Sequence, residues 1–94
     1  MLVVNLYYLG RNGNAKAYAE EMISRGLVDA IRKEKGCISY EYYYPENNPD
    51  EVLLVDKWVD EEALEAHHNT PIMEEIIKLH RKYNLTLKVE KFNL

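Results

Sequence analysis

The order of two hydrophobic periodicities is the feature that most limits the folds open to this 94-residue chain. Apolar runs typical of strands predict β-structure over residues 2–9, 37–44, 52–59 and 85–92. Helical spacing is found from Asn14 to Lys35, after Asp60, and again after Thr70-Pro71. This order, β-α-β-β-α-β, predicts one α+β domain over residues 1–94, with a ferredoxin-like antiparallel sheet of four strands.

Cap residues predict where the helices begin and end. Asn14 is the expected N-cap of the first helix, and Gly36 is its expected stop. Asp60 is suited to cap the next helical segment, since its oxygen can accept from free backbone N–H groups. Thr70 as N-cap with Pro71 at the first helical position predicts a restart of the helix there.

Strand patterns assign side chains to the two faces of the sheet. In residues 37–44, Ile38, Tyr40, Tyr42 and Tyr44 alternate and are expected on one face. The first strand is apolar on both faces, at Leu2, Val4 and Leu6 and also at Val3, Tyr7 and Leu9. A strand that is apolar on both sides predicts that the open face of the sheet is also covered. A second copy of the chain would cover it, which predicts a homodimer formed through this face.

Composition excludes several functional classes. A hydrophobic fraction of 47% is that of a folded protein, and twelve dispersed Lys and Arg residues with a net charge of −4 disfavour nucleic-acid binding. The sequence contains no apolar run of transmembrane length, and its first residues, MLVVNLYYLG, lack the basic start of a secretory leader. The single cysteine cannot form an internal disulfide. These features predict a cytoplasmic protein without a membrane partner.

Two adjacent histidines, His67 and His68, are the first candidates for chemistry. Neighbours on a helix point about 100° apart, so the two cannot chelate one ion as an i, i+4 pair can. No metal-ligand spacing occurs elsewhere, and no metal is expected. One histidine should face inward, but Leu64 is three residues from one and four from the other, so spacing leaves both open. The inward ring is either a hydrogen-bonded core residue or a functional group.

Polar side chains within two apolar strands are further candidates. Asp56 lies between Leu54 and Trp58 on one strand face, where a carboxylate is either paired locally or part of a polar cavity. Asn5 lies within the apolar first strand, as a satisfied core amide or as a group that orients a substrate.

Three motifs together resemble the antibiotic biosynthesis monooxygenase domain: GCISY (36–40), DKW (56–58) and ALEAHHNTP (63–71). The resemblance implies a dimeric α/β barrel of ferredoxin-like subunits. It implies that His67 is the inward histidine, and it aligns Asp56 with a position usually held by Glu and Trp58 with the family's Trp. Ile72 stands where many members carry a further histidine after Thr-Pro.

This resemblance implies a monooxygenase that oxidises a quinol or polycyclic phenol with O2, without metal or flavin. We expect a pocket lined by five side chains: Asn5, Tyr7, Tyr40, Trp58 and His67. The substrate would stack on Trp58 and Tyr40, while His67 accepts the phenolic proton and Asp56 fixes its tautomer. Asn5 and Tyr7 would hydrogen-bond the oxygen substituents. The alternatives are a non-catalytic ligand-binding barrel and an isomerase of a phosphorylated autoinducer-2-type sugar.

Overall fold

Four strands and four helices follow one another in the order β-α-α-β-β-α-α-β in the computed structural model, which describes residues 1–94. The strands are β1 (Leu2–Leu9), β2 (Cys37–Tyr43), β3 (Glu51–Trp58) and β4 (Thr86–Asn93). The helices are α1 (Asn14–Ser24), α2 (Leu27–Arg32), α3 (Glu61–His68) and α4 (Ile72–Tyr83). The sheet has the order β2-β3-β1-β4 with every neighbouring pair antiparallel. The predicted ferredoxin-like α+β fold is confirmed.

The first helical region differs from its prediction, because it is two helices rather than one. Gly26 adopts the left-handed conformation (φ 74°) between α1 and α2, which interrupts the helical backbone. The N-cap of α1 is Gly13, not Asn14, which is the first helical residue. The Asn14 amide instead donates to the Tyr83 carbonyl and so ties α1 to the end of α4.

The second helical region is capped close to where the sequence predicts. Asp60 is the N-cap of α3, and its Oδ1 accepts from the Ala63 N–H at 2.9 Å. The restart lies one residue later than expected, with Pro71 at the cap position of α4. Thr70 is therefore not the cap, and its hydroxyl donates to the His67 carbonyl at 2.8 Å. That bond ties the end of α3 to the turn before α4.

The pairing register divides the sheet into a helix-covered face and an open face. Leu2, Val4 and Leu6 of β1 lie opposite Trp58, Asp56 and Leu54 of β3, and all six share the face that packs against the helices. Sixteen buried apolar side chains form one core on this side; the largest include Trp58, Tyr8, Tyr18 and Met22. A fully buried Val, Leu, Ile or Met side chain of this core contributes about 1.5–3 kcal/mol.

Two backbone irregularities shape the edge of this core. Gly36 has φ 85°, and a Cβ added there would lie 2.5 Å from Ala63 Cβ, so only glycine allows α3 to approach this closely. The register of β2 shifts between Cys37 and Ser39 in a bulge. Ile38 is consequently turned outward and half exposed, so the prediction that it shares a face with Tyr40 is wrong.

Candidate active site

A cavity of about 300 Å³ lies between the helix-covered face of the sheet and the helices α3 and α4. Its volume is at the lower end of the range for small-molecule sites. Most of its wall is apolar: Val4, Leu6, Leu54, Leu64, Met73, Ile76, Leu87 and Val89. The remaining wall is aromatic or polar: Tyr8, Tyr40, Asp56, His67, His68, His80 and Lys91. An apolar cavity with few polar groups suits a largely apolar ligand that bears a few oxygen or nitrogen atoms.

His67 projects from the last turn of α3 into the wall of this cavity and is only 5% exposed. Its Nδ1 lies 3.0 and 3.2 Å from the two carboxylate oxygens of Glu34. The indole of Trp58 stacks on the imidazole, with ring centroids 4.8 Å apart. Since a carboxylate only accepts, Nδ1 carries the hydrogen, and Nε2 is the acceptor of the neutral ring. His67 is thus held by Glu34 and Trp58 with one nitrogen left for a ligand.

Asp56 is a buried carboxyl group with one oxygen unpaired. Its Oδ2 accepts from the Trp58 indole N–H at 2.7 Å, while Oδ1 is buried without a hydrogen-bond partner. Burial raises the pKa of Asp56 to about 6, although the bond from Trp58 opposes the rise. A cavity-wall carboxyl group that titrates near neutral pH is able to exchange a proton with a ligand.

His68 differs from its neighbour in environment. His67 is buried and His68 is exposed at the border of the cavity, with the two ring centroids 5.7 Å apart. The pKa of His68 is lowered, mainly by its partial burial and further by the charge of His67. The inward histidine is therefore His67, as the resemblance implies.

The structure brings four of the six predicted site residues together and separates two. Tyr40, Asp56 and His67 line the cavity. The ring centroids of Tyr40 and His67 lie 6.3 Å apart. Trp58 is fully buried behind His67 and does not line the cavity, so the prediction that a substrate stacks on it is wrong. The expected contact of Asp56 with the imidazole is also absent, because Asp56 bonds Trp58 and Glu34 holds the ring.

Asn5 and Tyr7 lie on the open face, so their predicted place in the pocket is wrong. Asn5 pairs with Val55, and the alternation of the strand directs both side chains away from the helices. The Tyr7 hydroxyl donates to Glu90 at 2.7 Å, a bond that raises the pKa of this tyrosine. The odd and even positions of β1 are both apolar, so the sequence alone did not show which set faces the helices.

Sequence reasoning missed two residues of this region, Glu34 and His80. Glu34 lies between α2 and β2. Its position two residues before Gly36, where the chain approaches α3, was the sequence feature that could have identified it as a site residue. His80 lines the cavity from α4, and its spacing from Met73 and Ile76, seven and four residues earlier, is that of one helix face. Ile72 packs partly buried against the core and does not line the cavity.

Neither a metal-binding group nor a membrane-spanning helix is present. No three His, Cys, Asp or Glu side chains form a group that could hold a metal ion. None of the four helices has the length and apolar character that a membrane crossing requires.

The sequence of the chain matches a family of known proteins. The sequence pattern of the family "Antibiotic biosynthesis monooxygenase" matches residues 1–79. An uncharacterized protein of Synechocystis sp. is 32% identical over 56 residues, a match that covers 60% of this chain and only 38% of that protein.

Solved structures share the fold at low sequence identity. A Deinococcus radiodurans protein superposes with a TM-score of 0.87 at 20% identity, covering 100% of this chain and 92% of that one. SnoaB, a cofactor-independent oxygenase from Streptomyces nogalater, superposes with a TM-score of 0.80 at 13% identity, covering 99% and 91% of the two chains. At these low sequence identities, the similarity shows that the fold is shared.

Proposed function

This chain belongs to the antibiotic biosynthesis monooxygenase family, and we propose that it is a cofactor-independent monooxygenase that oxidises a quinol or polycyclic phenol with O2. The observation that carries the proposal is the His67 imidazole, which the Glu34 carboxylate holds on the wall of a largely apolar cavity that Asp56 also lines. Desolvated proton acceptors in an apolar enclosure suit a substrate that is apolar in its ring and acidic at its hydroxyl.

The proposed reaction starts with proton transfer from the phenolic hydroxyl to His67 Nε2. Glu34 stabilises the imidazolium that forms, because its carboxylate already bonds Nδ1. Asp56, which lines the same cavity, supplies the second acceptor, for the proton that leaves the oxidised ring position. Deprotonation concentrates electron density on the ring, which makes it a better reductant for O2.

The atoms and electrons balance without a cofactor. A naphthoquinol and O2 give a hydroxynaphthoquinone and water: the substrate loses four electrons, one oxygen atom bonds to a ring carbon, and the other leaves as water. A competing two-electron oxidation would give the unhydroxylated quinone and hydrogen peroxide. The two outcomes are therefore distinguished by their products.

The homodimer is part of this proposal, because a barrel is completed only when the open face is covered. That face carries apolar side chains in register on neighbouring strands: Val3, Leu9, Leu53, Val55, Tyr43 and Phe92. We expect sedimentation to show that the wild-type protein is a dimer. Val55→Arg, in the centre of β3, should give a monomer, because dimer formation would bury the unpaired charge of the arginine. A monomeric wild-type protein would contradict this part.

The phosphorylated-sugar isomerase has less support from the charges of the cavity. Lys91 is the one lysine or arginine on its wall, and it already pairs with Glu61. Burial lowers the pKa of both His68 and His80, which favours their neutral forms. A phosphate needs several fixed positive donors, which this wall does not offer.

The test is oxygen uptake by the purified, metal-free protein with a panel of naphthoquinols and anthrols. Isotopically labelled O2 should place one labelled oxygen in the product, and peroxide should stay at the autoxidation level. His67→Ala should lower turnover by on the order of 10²–10⁴-fold, as expected for loss of a general base. Tyr7→Phe is the matched control on the open face and should retain wild-type turnover.

Two other results of the oxygen-uptake experiment would change the proposal. Equal turnover in His67→Ala would remove His67 from the mechanism. Absence of uptake with every substrate, in a folded protein, would contradict the monooxygenase and favour the non-catalytic ligand-binding barrel.

A further inference from the structure

The polar groups of the cavity lie at two separate levels of the sheet. Asp56 lies directly opposite Val4 of β1. His80, from α4, packs edge-on against Tyr8 of the same strand, with ring centroids 5.1 Å apart. Tyr8 is four positions after Val4, a distance of about 13 Å along β1.

The wall between the two levels is apolar. Leu6 lies midway on β1 and is flanked in register by Leu54 of β3 and Val89 of β4. All three line the cavity. The cavity thus has a polar end at Asp56 and His67, an apolar middle, and a second polar end at His80.

His80 has the chemistry of a ligand-binding end group. Its Nε2 lies 3.2 Å from the hydroxyl of Tyr18, a side chain that is fully buried. Its other ring nitrogen makes no hydrogen bond within the protein. Burial lowers the pKa of His80, so the ring is neutral near pH 7 and can donate or accept through the free nitrogen.

We propose that His80 binds the distal oxygen of the substrate, and that the substrate is an elongated fused-ring molecule with oxygen substituents at opposite ends. One oxygen lies at Asp56 and His67, where the proton is removed, and the other lies at His80. This inference rests on the proposed function, since it assigns the orientation of a phenolic substrate within the same cavity.

The experiment is an anaerobic binding titration with two unreacted probes, 2,6-dihydroxynaphthalene and 2-naphthol. The first has a hydroxyl at each end, and the second lacks the distal one. The wild-type protein should bind the diol about fivefold more tightly, the equivalent of one additional hydrogen bond. His80→Leu should abolish this preference, so that both probes bind with similar affinity, while His80→Gln, which retains a polar end group, should keep part of it.

The outcomes separate the two proposals. If the wild-type protein binds both probes equally, or if folded His80→Leu keeps the preference, the assignment of His80 is overturned and the phenol site stands. If neither probe binds, the aromatic site itself is overturned, and the role of His80 with it. A structural role for His80 would change the stability of the variants without changing the ratio of the two affinities.

Discussion

Both faces of the sheet carry hydroxyl and carboxyl side chains, but the two faces differ in how completely these groups are hydrogen-bonded. On the open face, the Tyr7 hydroxyl and the Glu90 carboxylate satisfy each other at 2.7 Å. On the helix-covered face, Asp56 Oδ1 and the Tyr42 hydroxyl are buried without a partner, and they are the only two such side-chain atoms in the molecule.

This difference indicates where the chain gives up stability. A buried polar atom without a partner costs about 1–3 kcal/mol, so a fold optimised only for stability would avoid it. Both unpaired atoms lie on the face that encloses the cavity, and Asp56 borders the cavity itself. The helix-covered face therefore combines the core with the candidate site, whereas the open face has locally satisfied polar groups.

The largest expected effect is at Gly36, where the sheet meets its helical layer. Gly36→Ala should destabilise the protein by about 3–5 kcal/mol, because a left-handed alanine is strained and its Cβ would overlap Ala63 of α3. Gly26→Ala is the matched control, with φ 74° and nothing within 4 Å of the added carbon, and should cost about 1–2 kcal/mol. Urea unfolding compares the two. Equal losses would show that the close approach of α3 does not constrain position 36.

The next effect is the pH dependence that Asp56, on the helix-covered face, gives to the stability of the protein. Its pKa rises from 3.8 to about 6 on folding, so the folded state binds the proton more tightly than the unfolded state. The resulting stabilisation is complete below pH 3.8 and is lost as the pH rises through 6, a loss of about 3 kcal/mol. Asp56→Asn should abolish this contribution, so its stability relative to wild type should increase between pH 4 and 7. A constant difference across that range would show that Asp56 titrates normally.

Two carboxylates, Glu34 at the candidate site and Glu90 on the open face, test whether the two faces differ in their effect on catalysis. Glu34→Gln should lower kcat by about tenfold, because the amide still accepts from His67 Nδ1 but lacks the charge that stabilises the imidazolium. Glu90→Gln removes a carboxylate from the open face and should leave kcat unchanged. A similar loss in both variants would indicate a general effect of charge rather than a role for Glu34 at the histidine.

The smallest effect concerns two tyrosine hydroxyls. Tyr42→Phe should stabilise the protein by about 1 kcal/mol, because it removes a buried hydroxyl that has no partner. Tyr7→Phe should instead destabilise it through the lost bond to Glu90. Thermal unfolding of the two variants should therefore shift in opposite directions. Destabilisation of both would indicate that the Tyr42 hydroxyl has a partner, such as a bound water.

The sequence by itself determined the order of the elements, most of their boundaries and the family. The order could be predicted because strand and helix periodicities are local properties, and the start of α3 could be predicted because the Asp60 side chain accepts from a free backbone N–H group. Motifs in three separate segments were sufficient for the resemblance, and they include His67, Asp56 and Trp58.

Only the tertiary structure decided which faces meet. β1 is apolar on both sides, so its register with β3 was needed to place Asn5 and Tyr7 on the open face and Asp56 beside the cavity. The pairing of Glu34 with His67 and the place of His80 join residues that are far apart in the chain. Local spacing identifies Glu34 and His80 as candidates, but the contacts themselves depend on the angle at which helices pack on the sheet, which arises from the whole core.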